Sequence, residues 1–515
     1  MSSPPPTTDG LLGWEPHLSA DQRFEVTELT AGGTLLHAWR NRWEHQPTRP
    51  VLLDVGSGAG GRGWWTAEAF ALATRRAAGR LATAGLSAGD RVVWSTGSSV
   101  AALVAHVGAL RAGLVVVPAN PAYTRPELQH IVAEVGAAGA IIDDPRRGAW
   151  ITEVLGTDAV VAGPDLDLPD GATPPLDTAT IDDPALICFT SGTTGSPKGA
   201  VLTHGNLLAA TSSVVLAWRW TPDDRLVHCL PVFHAHGLCV GVYGTLLAGG
   251  SAILLPGFDP DAVLDAADHH QASLFFGVPT MYHRLAGTRR VGELGRLRLC
   301  VSGSAPLSAA LHRQIAWSAD VTVLERYGMT ETLMNVSNPY EGERRPGTVG
   351  VPLPGVEVAL ASDGEILLRG PNVFGGYWGR PAASLEAFAP AADDGRPWFR
   401  SGDLGEVDEG YLAIRGRSKE LVITGGYNVY PAEVEDVLVS HPAVVDVAVT
   451  GTPSAEWGEV VTAWLVVDGA TPTVGDLAEF AADRLAPFKR PRIVHVVDAL
   501  PRNALGKVVR GRLGE

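Results

Sequence analysis

The chain has 515 residues, more than one hydrophobic core usually supports, so at least two domains are expected. Hydrophobic residues make up 45% and charged residues 19% of the chain, the composition of an ordinary soluble globular protein. The net charge of −16 argues against nonspecific binding to nucleic acid or to an anionic membrane, and an anionic substrate therefore needs local positive charge.

The first ten residues, MSSPPPTTDG, contain no basic stretch followed by an apolar one. They predict a disordered tail over residues 1–10 and not a signal peptide. No run of eighteen apolar residues predicts a membrane span. The four cysteines lack C-x-x-C spacing, which argues against a zinc site or a disulfide framework. These features predict a cytoplasmic protein with reduced cysteines.

Short apolar runs alternate with helical patterns through the first three hundred residues. The predicted strands cover residues 91–94, 113–117, 185–189, 251–255, 272–277 and 298–302. A helix is predicted over 100–111, and Asp259 is expected to cap another that runs to about His269. This order predicts an α/β fold, in which helices cover parallel sheets.

The pattern changes in the last third of the chain. After about residue 355 the helices fade, and short strands over 364–368 and 411–414 predict a small β-rich subdomain. The last hundred residues predict an α+β unit, with a helix from Pro431, strands over 443–449 and 460–467, and a helix over 474–485. We therefore predict an amino-terminal domain over residues 11–416 and a carboxyl-terminal domain over 417–515.

The most informative run is TSGTTGSPKGA, residues 190–200, which directly follows a predicted strand. Its glycines allow the backbone to wrap N–H groups around an anion, and its hydroxyl residues add further donors. Lys198 supplies a point charge suited to phosphate. The Walker pattern is absent because Lys198 is followed by Gly199. The run therefore predicts a phosphate site of another kind.

This run resembles the phosphate-binding segment of the adenylate-forming superfamily, which comprises acyl-CoA synthetases, stand-alone adenylation enzymes and beetle luciferases. The resemblance extends from about residue 60 to about residue 510 and is closest to the bacterial malonyl-CoA synthetases. It implies ATP and CoA as co-substrates and Mg²⁺ as cofactor. In the implied reaction a carboxylate attacks the α-phosphate of ATP, giving acyl-AMP and pyrophosphate, and a thiol then displaces AMP.

The run ERYGMTET, residues 325–332, resembles the YGxTE motif of that superfamily. The resemblance implies that Tyr327 stacks on adenine, that Thr330 contacts the α-phosphate and that Glu331 holds Mg²⁺. A carboxylate beside a triphosphate needs such a cation, because the two anions otherwise repel. Asp403 matches the aspartate that accepts hydrogen bonds from the ribose hydroxyls. The full set of predicted ATP- or AMP-binding residues is Thr190, Ser191, Gly192, Thr193, Thr194, Gly195, Lys198, Ser302, Gly303, Ser304, Glu325, Arg326, Tyr327, Gly328, Thr330, Asp403 and Arg417.

Lys507, in PRNALGK, matches the carboxyl-terminal catalytic lysine of the superfamily. A compact cation suits the implied task of bridging the attacking carboxylate and the α-phosphate. The other predicted catalytic residues are Thr330, Glu331 and His234. Lys419 occupies the hinge position, and rotation there would withdraw Lys507 and bring a glycine loop to the CoA arm. The predicted CoA-binding residues are Gly425, Gly426, Tyr427 and Lys489, the last being equally expected as an exposed helix end.

The choice of acid rests on fewer residues. Arg284, in FGVPTMYHR, matches the arginine that malonyl-CoA synthetases use for the distal carboxylate of malonate. A second carboxylate in a closed pocket needs a partner, and arginine offers a bidentate fork. The segment FHAHG, residues 233–237, resembles the entrance of their acyl pocket. The predicted acyl-binding residues are His236, Arg284, Ser302 and Met329, and the predicted acid is malonate or methylmalonate.

Several alternatives remain. The segment GYNVYP, residues 426–431, and the long amino-terminal region are also typical of broader fatty acyl-CoA synthetases. A stand-alone adenylation enzyme would load a carrier protein and would share the first half-reaction. A regulatory nucleotide-binding protein is disfavoured because Lys198, Glu331, Asp403 and Lys507 occur together. Luciferase-like oxidation is disfavoured, and the oligomeric state is open.

Overall fold

The computed structural model describes residues 7–19, 22–55, 63–190, 197–389, 395–425, 427–454, 456–503 and 506–514. The chain packs into two compact units. The larger unit comprises Leu12–Glu357 and Leu368–Phe399, and the smaller comprises Met1–Leu11, Val358–Leu367 and Arg400–Glu515. The predicted domain boundary, between residues 416 and 417, is the start of the part of the chain that would rotate during the reaction. This boundary stays a prediction.

Thirteen α-helices occur among the described residues, and several begin at the caps that the sequence offers. The Asp259 side chain accepts a hydrogen bond from the Ala262 N–H at 3.0 Å, as predicted. The helices are α1 Leu35–His45, α2 Ala67–Thr83, α3 Val100–Arg111, α4 Arg125–Val135, α5 Pro145–Leu155, α6 His204–Ala217, α7 Tyr243–Ala248, α8 Pro260–His269, α9 Pro279–Ala286, α10 Ala309–Ala319, α11 Pro381–Glu386, α12 Pro431–Leu438 and α13 Val474–Phe480. None of the described helices is both long and apolar enough to cross a membrane.

The strands of the larger unit come first in the chain. They are β1 Pro50–Asp54, β2 Trp65–Thr66, β3 Arg91–Ser95, β4 Val115–Pro118, β5 Gly139–Ile142, β6 Val160–Ala162, β7 Pro184–Thr190, β8 Lys198–Thr203, β9 Arg225–His228, β10 Ser251–Leu254, β11 Leu274–Gly277, β12 Leu299–Ser302, β13 Leu324–Met329, β14 Leu333–Ser337 and β15 Val351–Pro352. The remaining strands are β16 Glu357–Leu360, β17 Glu365–Arg369, β18 Phe388–Ala389, β19 Trp398–Asp408, β20 Tyr411–Arg417, β21 Val422–Thr424, β22 Tyr427–Val429, β23 Val444–Ser454, β24 Gly458–Val467 and β25 Ile493–Val496.

The larger unit contains two sheets. The nine-stranded sheet has the order β15-β14-β13-β12-β11-β9-β10-β1-β2, and its neighbours from β13 to β1 are parallel. The six-stranded sheet has the order β6-β5-β3-β4-β7-β8, parallel except between β7 and β8. Apolar strand and helix residues pack against each sheet, as the fully buried Phe275, Tyr282 and Ile315 illustrate. The predicted α/β class with parallel sheets is confirmed.

The smaller unit contains the antiparallel pair β19–β20 and a five-stranded sheet of β21 to β25. A cluster of buried valines and leucines, including Val434, Val449, Val461 and Leu477, forms the core of that sheet and its helices. The predicted α+β architecture of the carboxyl-terminal region is confirmed.

Two local predictions differ from the structure. Helix α13 ends at Phe480, although the pattern predicts a helix to residue 485. The carbonyls of Ala482 and Leu485 accept hydrogen bonds from Arg490 at 3.0 and 2.9 Å, which offers them partners outside a helix. Of the predicted tail, Thr7 exchanges two main-chain hydrogen bonds with Leu360, at 2.9 and 2.8 Å, and is therefore tied to the smaller unit.

Candidate active site

The carboxyl ends of neighbouring parallel strands bring the predicted residues of the larger unit together. Strand β12 ends at Ser302, which lies opposite Gly277 of β11 and Glu325 of β13. Strand β9 ends at His228 in the same sheet. Because parallel strands present their carboxyl ends at one edge, loops from different parts of the chain meet there. The edge of this sheet is the candidate active site.

A π-helical turn over His236–Val242 lines this edge and was not predicted from the sequence. Such turns are rare and often occur at functional sites. The His236 N–H donates to the Nδ1 atom of His234 at 3.2 Å, so that atom is unprotonated. Burial lowers the pKa of His234 to about 4 and the pKa of His236 well below its usual value, and Arg326 lowers both further. Both imidazoles are therefore neutral at neutral pH.

Arg326 lies on β13, which pairs with β12 in this sheet, and is 5% exposed. Its guanidinium rests on the backbone of Gly303, where a β-carbon would lie 2.3 Å from the Arg326 Cζ atom. Burial lowers the pKa of Arg326 to about 9. Gly303 and Arg326 are both predicted nucleotide-binding residues. A side chain at residue 303 would displace the Arg326 guanidinium from its observed position.

Ser304 and Glu325 hold the loop that follows β12. Ser304 has a φ angle of +71°, an unusual conformation for a residue with a side chain, and its Oγ atom lies 3.3 Å from the Nδ1 atom of His236. The Glu325 carboxylate accepts a hydrogen bond from the Leu307 N–H at 3.0 Å. Glu325, predicted to bind nucleotide, therefore also fixes this loop.

A second group of residues surrounds the predicted phosphate loop. Thr190 and Lys198 face each other across β7 and β8, and the predicted residues Ser191, Gly192, Thr193, Thr194 and Gly195 lie outside the described residues. The Lys198 Nζ atom lies 5.1 Å from the ring centroid of Tyr377. The Tyr377 hydroxyl donates to the Glu331 carboxylate at 2.9 Å. Tyr377 thus links the predicted phosphate-binding lysine to the predicted magnesium ligand.

Tyr377 was missed by the sequence analysis because it belongs to no motif that was considered there. Gly328 of the YGxTE segment requires glycine, since a β-carbon there would lie 2.0 Å from the Leu333 carbonyl oxygen. Its contact with a nucleotide stays a prediction. The Tyr327 hydroxyl lies 3.8 Å from the Met329 sulfur, and Thr330 is half-buried beside them.

Glu331 is the residue that could hold a cation. Its carboxylate is buried, and among the described residues no group of three His, Cys, Asp or Glu side chains is arranged around a metal position. Magnesium bound with a nucleotide needs only one or two protein carboxylates, because phosphates and waters supply the other ligands. A single buried carboxylate near Lys198 fits a nucleotide-bound Mg²⁺ and does not fit a metal held by protein ligands alone.

The predicted acyl-binding arginine occupies a different setting. Arg284 is exposed on α9, and its Cζ atom lies 4.9 Å from the centroid of the Phe258 ring. The prediction places this arginine in a closed pocket, whereas in the structure its side chain is exposed to solvent. Its role toward a carboxylate stays a prediction.

In the smaller unit, the predicted ribose ligands contact each other. The Arg417 Nε atom lies 2.9 Å from the Asp403 carboxylate, across the β19–β20 pair. Burial lowers the pKa of Lys507, Arg417 lowers it further, and Glu420 and Asp403 oppose the shift. The electrostatic coupling indicates that Lys507 lies near the ion pair, and the shared role of the three residues toward a nucleotide stays a prediction.

Hydrogen bonds before Lys507 and ion pairs after it hold this segment in place. The Lys507 N–H donates to the Asn503 side chain at 3.0 Å, and the Asn503 N–H donates to the Lys507 carbonyl at 2.9 Å. The Arg510 guanidinium contacts Glu420 at 3.1 Å and Glu435 at 2.6 Å. Arg510 was not predicted, and it joins the catalytic-lysine segment to the turn at the predicted hinge, Lys419.

The predicted CoA-binding residues are only partly described. Gly426 lies outside the described residues, and Gly425 has a φ angle of +57°, which favours glycine. Tyr427 stacks on Phe488, with ring centroids 4.5 Å apart, and it is 58% exposed. The Lys489 ammonium contacts both oxygens of Glu433 at 2.6 and 2.7 Å. A phosphate would therefore have to compete with Glu433 for Lys489.

Comparison with known proteins defines the class. The sequence matches the AMP-binding enzyme family over residues 39–378 and the AMP-binding enzyme C-terminal domain over residues 433–507. The chain belongs to the AMP-binding enzymes, and the resemblance inferred from its motifs is confirmed.

Particular relatives cover most of the chain. The ATP-bound structure of MatB from Rhodopseudomonas palustris is 40% identical with a TM-score of 0.85, over 93% of this chain and 97% of that one. A feruloyl-CoA synthase of an Amycolatopsis species is 38% identical over 87% of this chain and 94% of its own. The mitochondrial malonate–CoA ligase of Mus musculus is 34% identical over 82% of this chain and 81% of its own.

Proposed function

We propose that this AMP-forming acid–CoA ligase joins a small dicarboxylic acid, malonate or methylmalonate, to CoA. The observation that carries the proposal is the similarity to MatB, which is 40% identical and covers 93% of this chain with a TM-score of 0.85. A further structure with 41% identity is a malonyl-CoA ligase with methylmalonyl-CoA and AMP bound. The exposed Arg284, which matches the arginine that malonyl-CoA synthetases use for the distal carboxylate, supplies the local positive charge that a dianion needs in a chain of net charge −16.

In the first half-reaction, a carboxylate oxygen of the acid attacks the α-phosphorus of ATP. The bond from that phosphorus to the bridging oxygen breaks, and pyrophosphate leaves with the electron pair. We assign Lys198 and the loop after Thr190 to the phosphates, Tyr327 to adenine, and Asp403 with Arg417 to the ribose. Lys507 supports the charge that builds on the α-phosphate in the transition state, and Thr330 contacts the same group.

We assign Glu331 to Mg²⁺, with Tyr377 fixing the carboxylate by its 2.9 Å hydrogen bond. When bound, the cation neutralises the triphosphate and supports departure of pyrophosphate. The protein's own contribution at this end is to place a lysine against the Tyr377 ring and a carboxylate at the Tyr377 hydroxyl.

In the second half-reaction, the CoA sulfur attacks the acyl carbon of the adenylate, and AMP leaves with the electrons of the carbon–oxygen bond. Lys507 has no role in this step, so we propose that rotation about Lys419 withdraws it. The loop at Gly425 and the exposed ring of Tyr427 then approach the pantetheine arm.

The experiment that tests the substrate is CoA-dependent release of AMP from ATP with acetate, butyrate, octanoate, benzoate, ferulate, malonate and methylmalonate. We expect malonate and methylmalonate to exceed the monocarboxylates in kcat/KM by about 10³-fold or more. A monocarboxylate lacks the second carboxylate, so the cation that binds this group would be left without a partner. Equal or greater turnover of a monocarboxylate contradicts the proposal while leaving the ligase class intact.

A second candidate acid is ferulate. The specific observation that favours it is the 38% identity to a feruloyl-CoA synthase over 94% of that protein. The same panel separates the two candidates, since ferulate has one carboxylate and a large apolar ring. Replacing free CoA by a phosphopantetheinyl carrier protein in that assay distinguishes a ligase from an enzyme that loads carriers.

A further inference from the structure

Two groups of opposite charge contact the same tyrosine in the larger unit. The Lys198 Nζ atom lies 5.1 Å from the ring centroid of Tyr377, and the Tyr377 hydroxyl donates to the Glu331 carboxylate at 2.9 Å. Lys198 takes part in no ion pair within the described part of the chain. An ammonium and a carboxylate that approach one residue can also bond to each other, and here each of them contacts Tyr377 instead.

The main chain of Tyr377 is held beside the strand that begins at Lys198. Tyr377 forms an isolated β-bridge with Ala200, and the Trp378 N–H donates to the Gly199 carbonyl at 2.8 Å. The Tyr377 N–H donates to the Ser384 Oγ atom, also at 2.8 Å. The backbone position of this tyrosine therefore depends on β8 and on the turn into α11.

A neighbouring aromatic residue connects Tyr377 to the Glu331 turn. The Phe374 N–H donates to the Glu331 carbonyl at 2.9 Å. The rings of Phe374 and Tyr377 pack edge to face, with centroids 4.9 Å apart and an interplanar angle of 74°. Phe374 is 2% exposed, so it is a fixed surface for the second ring. These contacts hold the Tyr377 ring independently of either charged side chain.

The two contacts of Tyr377 are weaker than those that a ligand can make. A cation over a ring face is held weakly when the ammonium is exposed, as that of Lys198 is, and a hydroxyl donor occupies only one acceptor position of a carboxylate. A phosphate oxygen and a divalent cation are stronger partners for the two groups. A direct ion pair between Lys198 and Glu331 would instead have to break before both groups could meet a ligand.

We propose that Tyr377 keeps Lys198 and Glu331 from pairing with each other, so that both charges stay available to a nucleotide and its cation. The ring face provides the contact for the ammonium, and the hydroxyl provides the contact for the carboxylate. Tyr377 is thus a positioning residue that acts through the other two. This inference rests on the roles that the proposed function gives to Lys198 and Glu331, and it does not depend on the identity of the acid.

Acylation of Lys198 by an N-hydroxysuccinimide ester measures this pairing in the full-length protein without nucleotide, acid or CoA. An ammonium held by a carboxylate is deprotonated less often, so it reacts more slowly. In Tyr377→Leu we expect the rate of Lys198 labelling, read by peptide mass spectrometry, to fall about threefold or more, the factor for a partly exposed ion pair. Loss of the ring contact alone would raise the rate, because the ring favours the charged ammonium. Adding Glu331→Gln to Tyr377→Leu should restore the rate.

Two controls belong to this experiment. Lys489 of the smaller unit, already paired with Glu433 at 2.6 Å, is the internal reference and should label at the same rate in every variant. Phe388→Leu is the matched variant, because the Phe388 ring stacks on Phe374, with centroids 6.0 Å apart, in the same aromatic cluster. We expect it to leave Lys198 labelling unchanged. An equal fall in Phe388→Leu assigns the effect to packing of the cluster and overturns the inference.

Binding of ATP with Mg²⁺, followed by calorimetry without an acid so that no turnover occurs, gives a second readout. We expect Tyr377→Leu to weaken this binding by about the factor found in the labelling, because only the unpaired fraction of the protein is competent. Tyr377→Phe keeps the ring, so it should label Lys198 at the wild-type rate and bind the nucleotide more tightly than Tyr377→Leu. Equal losses in the two variants, in both measurements, overturn the role of the ring.

Glu331→Gln alone covers the case in which Tyr377→Leu fails to fold. Since the two charges are unpaired in the wild-type protein, removal of the carboxylate charge should leave Lys198 labelling unchanged. A rise of about threefold or more shows that they already pair and overturns the inference. Unchanged labelling in a folded Tyr377→Leu protein overturns it as well. Absence of malonate turnover, by contrast, overturns the proposed substrate and leaves the labelling result intact.

Discussion

Two arginines, Arg326 of the larger unit and Arg510 of the smaller unit, have different surroundings. In the larger unit, the Arg326 guanidinium is buried with Nε and Nη2 unpartnered among the described residues, and the nearby His234 is neutral because burial lowers its pKa to about 4. In the smaller unit, Arg510 lies between Glu420 and Glu435. A guanidinium paired with two carboxylates, as at Arg510, holds segments of the chain together, whereas the Arg326 guanidinium packs against the Gly303 backbone. The difference shows that each charged group is stabilised by its own tertiary contacts.

The largest expected difference between the two units is the response of their stability to acid pH. In the larger unit, burial lowers the pKa of His106 to about 3 and the pKa values of His17, His204 and His228 to about 4. The unfolded chain binds protons at these positions from about pH 6.5 downward while the folded unit does not, so stability falls as pH falls. Each histidine contributes a loss of up to roughly 3 kcal/mol between pH 6.5 and 4.

The smaller unit should respond in the opposite direction at its buried carboxyls. Burial raises the pKa of Glu435 and of Asp436, so the folded unit takes up these protons before the unfolded chain does, and the cost of their burial is relieved as pH falls. Hydrogen exchange from pH 7 to pH 4, read by peptide, measures both units. Earlier loss of protection in the smaller unit contradicts this comparison.

Lys507→Ala should have the next largest effect. Loss of the cation at the α-phosphate should lower adenylate formation by about 10²- to 10³-fold, while thiol attack on a supplied acyl-AMP is spared. Pyrophosphate exchange into ATP measures the first step, and CoA consumption with synthetic acyl-AMP measures the second. Arg484→Ala, which removes a different cation from the same unit, is the control and should change neither rate. Equal loss of both half-reactions contradicts the role of rotation.

Arg510→Ala should have a smaller effect on activity than Lys507→Ala, and it tests whether Arg510 positions the Lys507 segment. Its removal leaves Glu435 buried without its cation, and we expect the smaller unit to lose about 1–3 kcal/mol of stability. We also expect adenylate formation to fall more than thiol attack, since the Lys507 segment is loosened. Arg510→Lys, which keeps the charge, should restore part of both. Loss of stability with an unchanged ratio of the two half-reactions leaves Arg510 a structural residue only.

Much of the fold follows from local pattern. The predicted strands at 91–94, 251–255 and 298–302 correspond to β3, β10 and β12, because short apolar runs bounded by polar turns have few other ways to be buried. The end of α13 and the π-helical turn at His236 were missed, since both depend on contacts made after the elements pack. Arg490, ten residues beyond Phe480, offers partners to the carbonyls that follow α13.

The functional residues likewise include some that local motifs predict and some that only the folded structure reveals. Motif spacing predicted roles for Lys198, Glu331, Asp403 and Lys507, because glycine turns and charged groups after strands are local features. It did not identify Tyr377, which lies 46 residues from Glu331 and reaches it only in the folded unit. Its 2.9 Å hydrogen bond is a tertiary contact without a local signal.

The sequence by itself determined the class of enzyme, the α/β fold class and the position of many strands along the chain, since these depend on residue type and spacing. Only the tertiary structure decided that Arg284 is exposed against Phe258 and that Arg326 is buried on Gly303. Two arginines are alike in sequence, and their solvation differs because it is set by neighbours from distant strands and turns. Residue type alone therefore does not predict which arginine is buried.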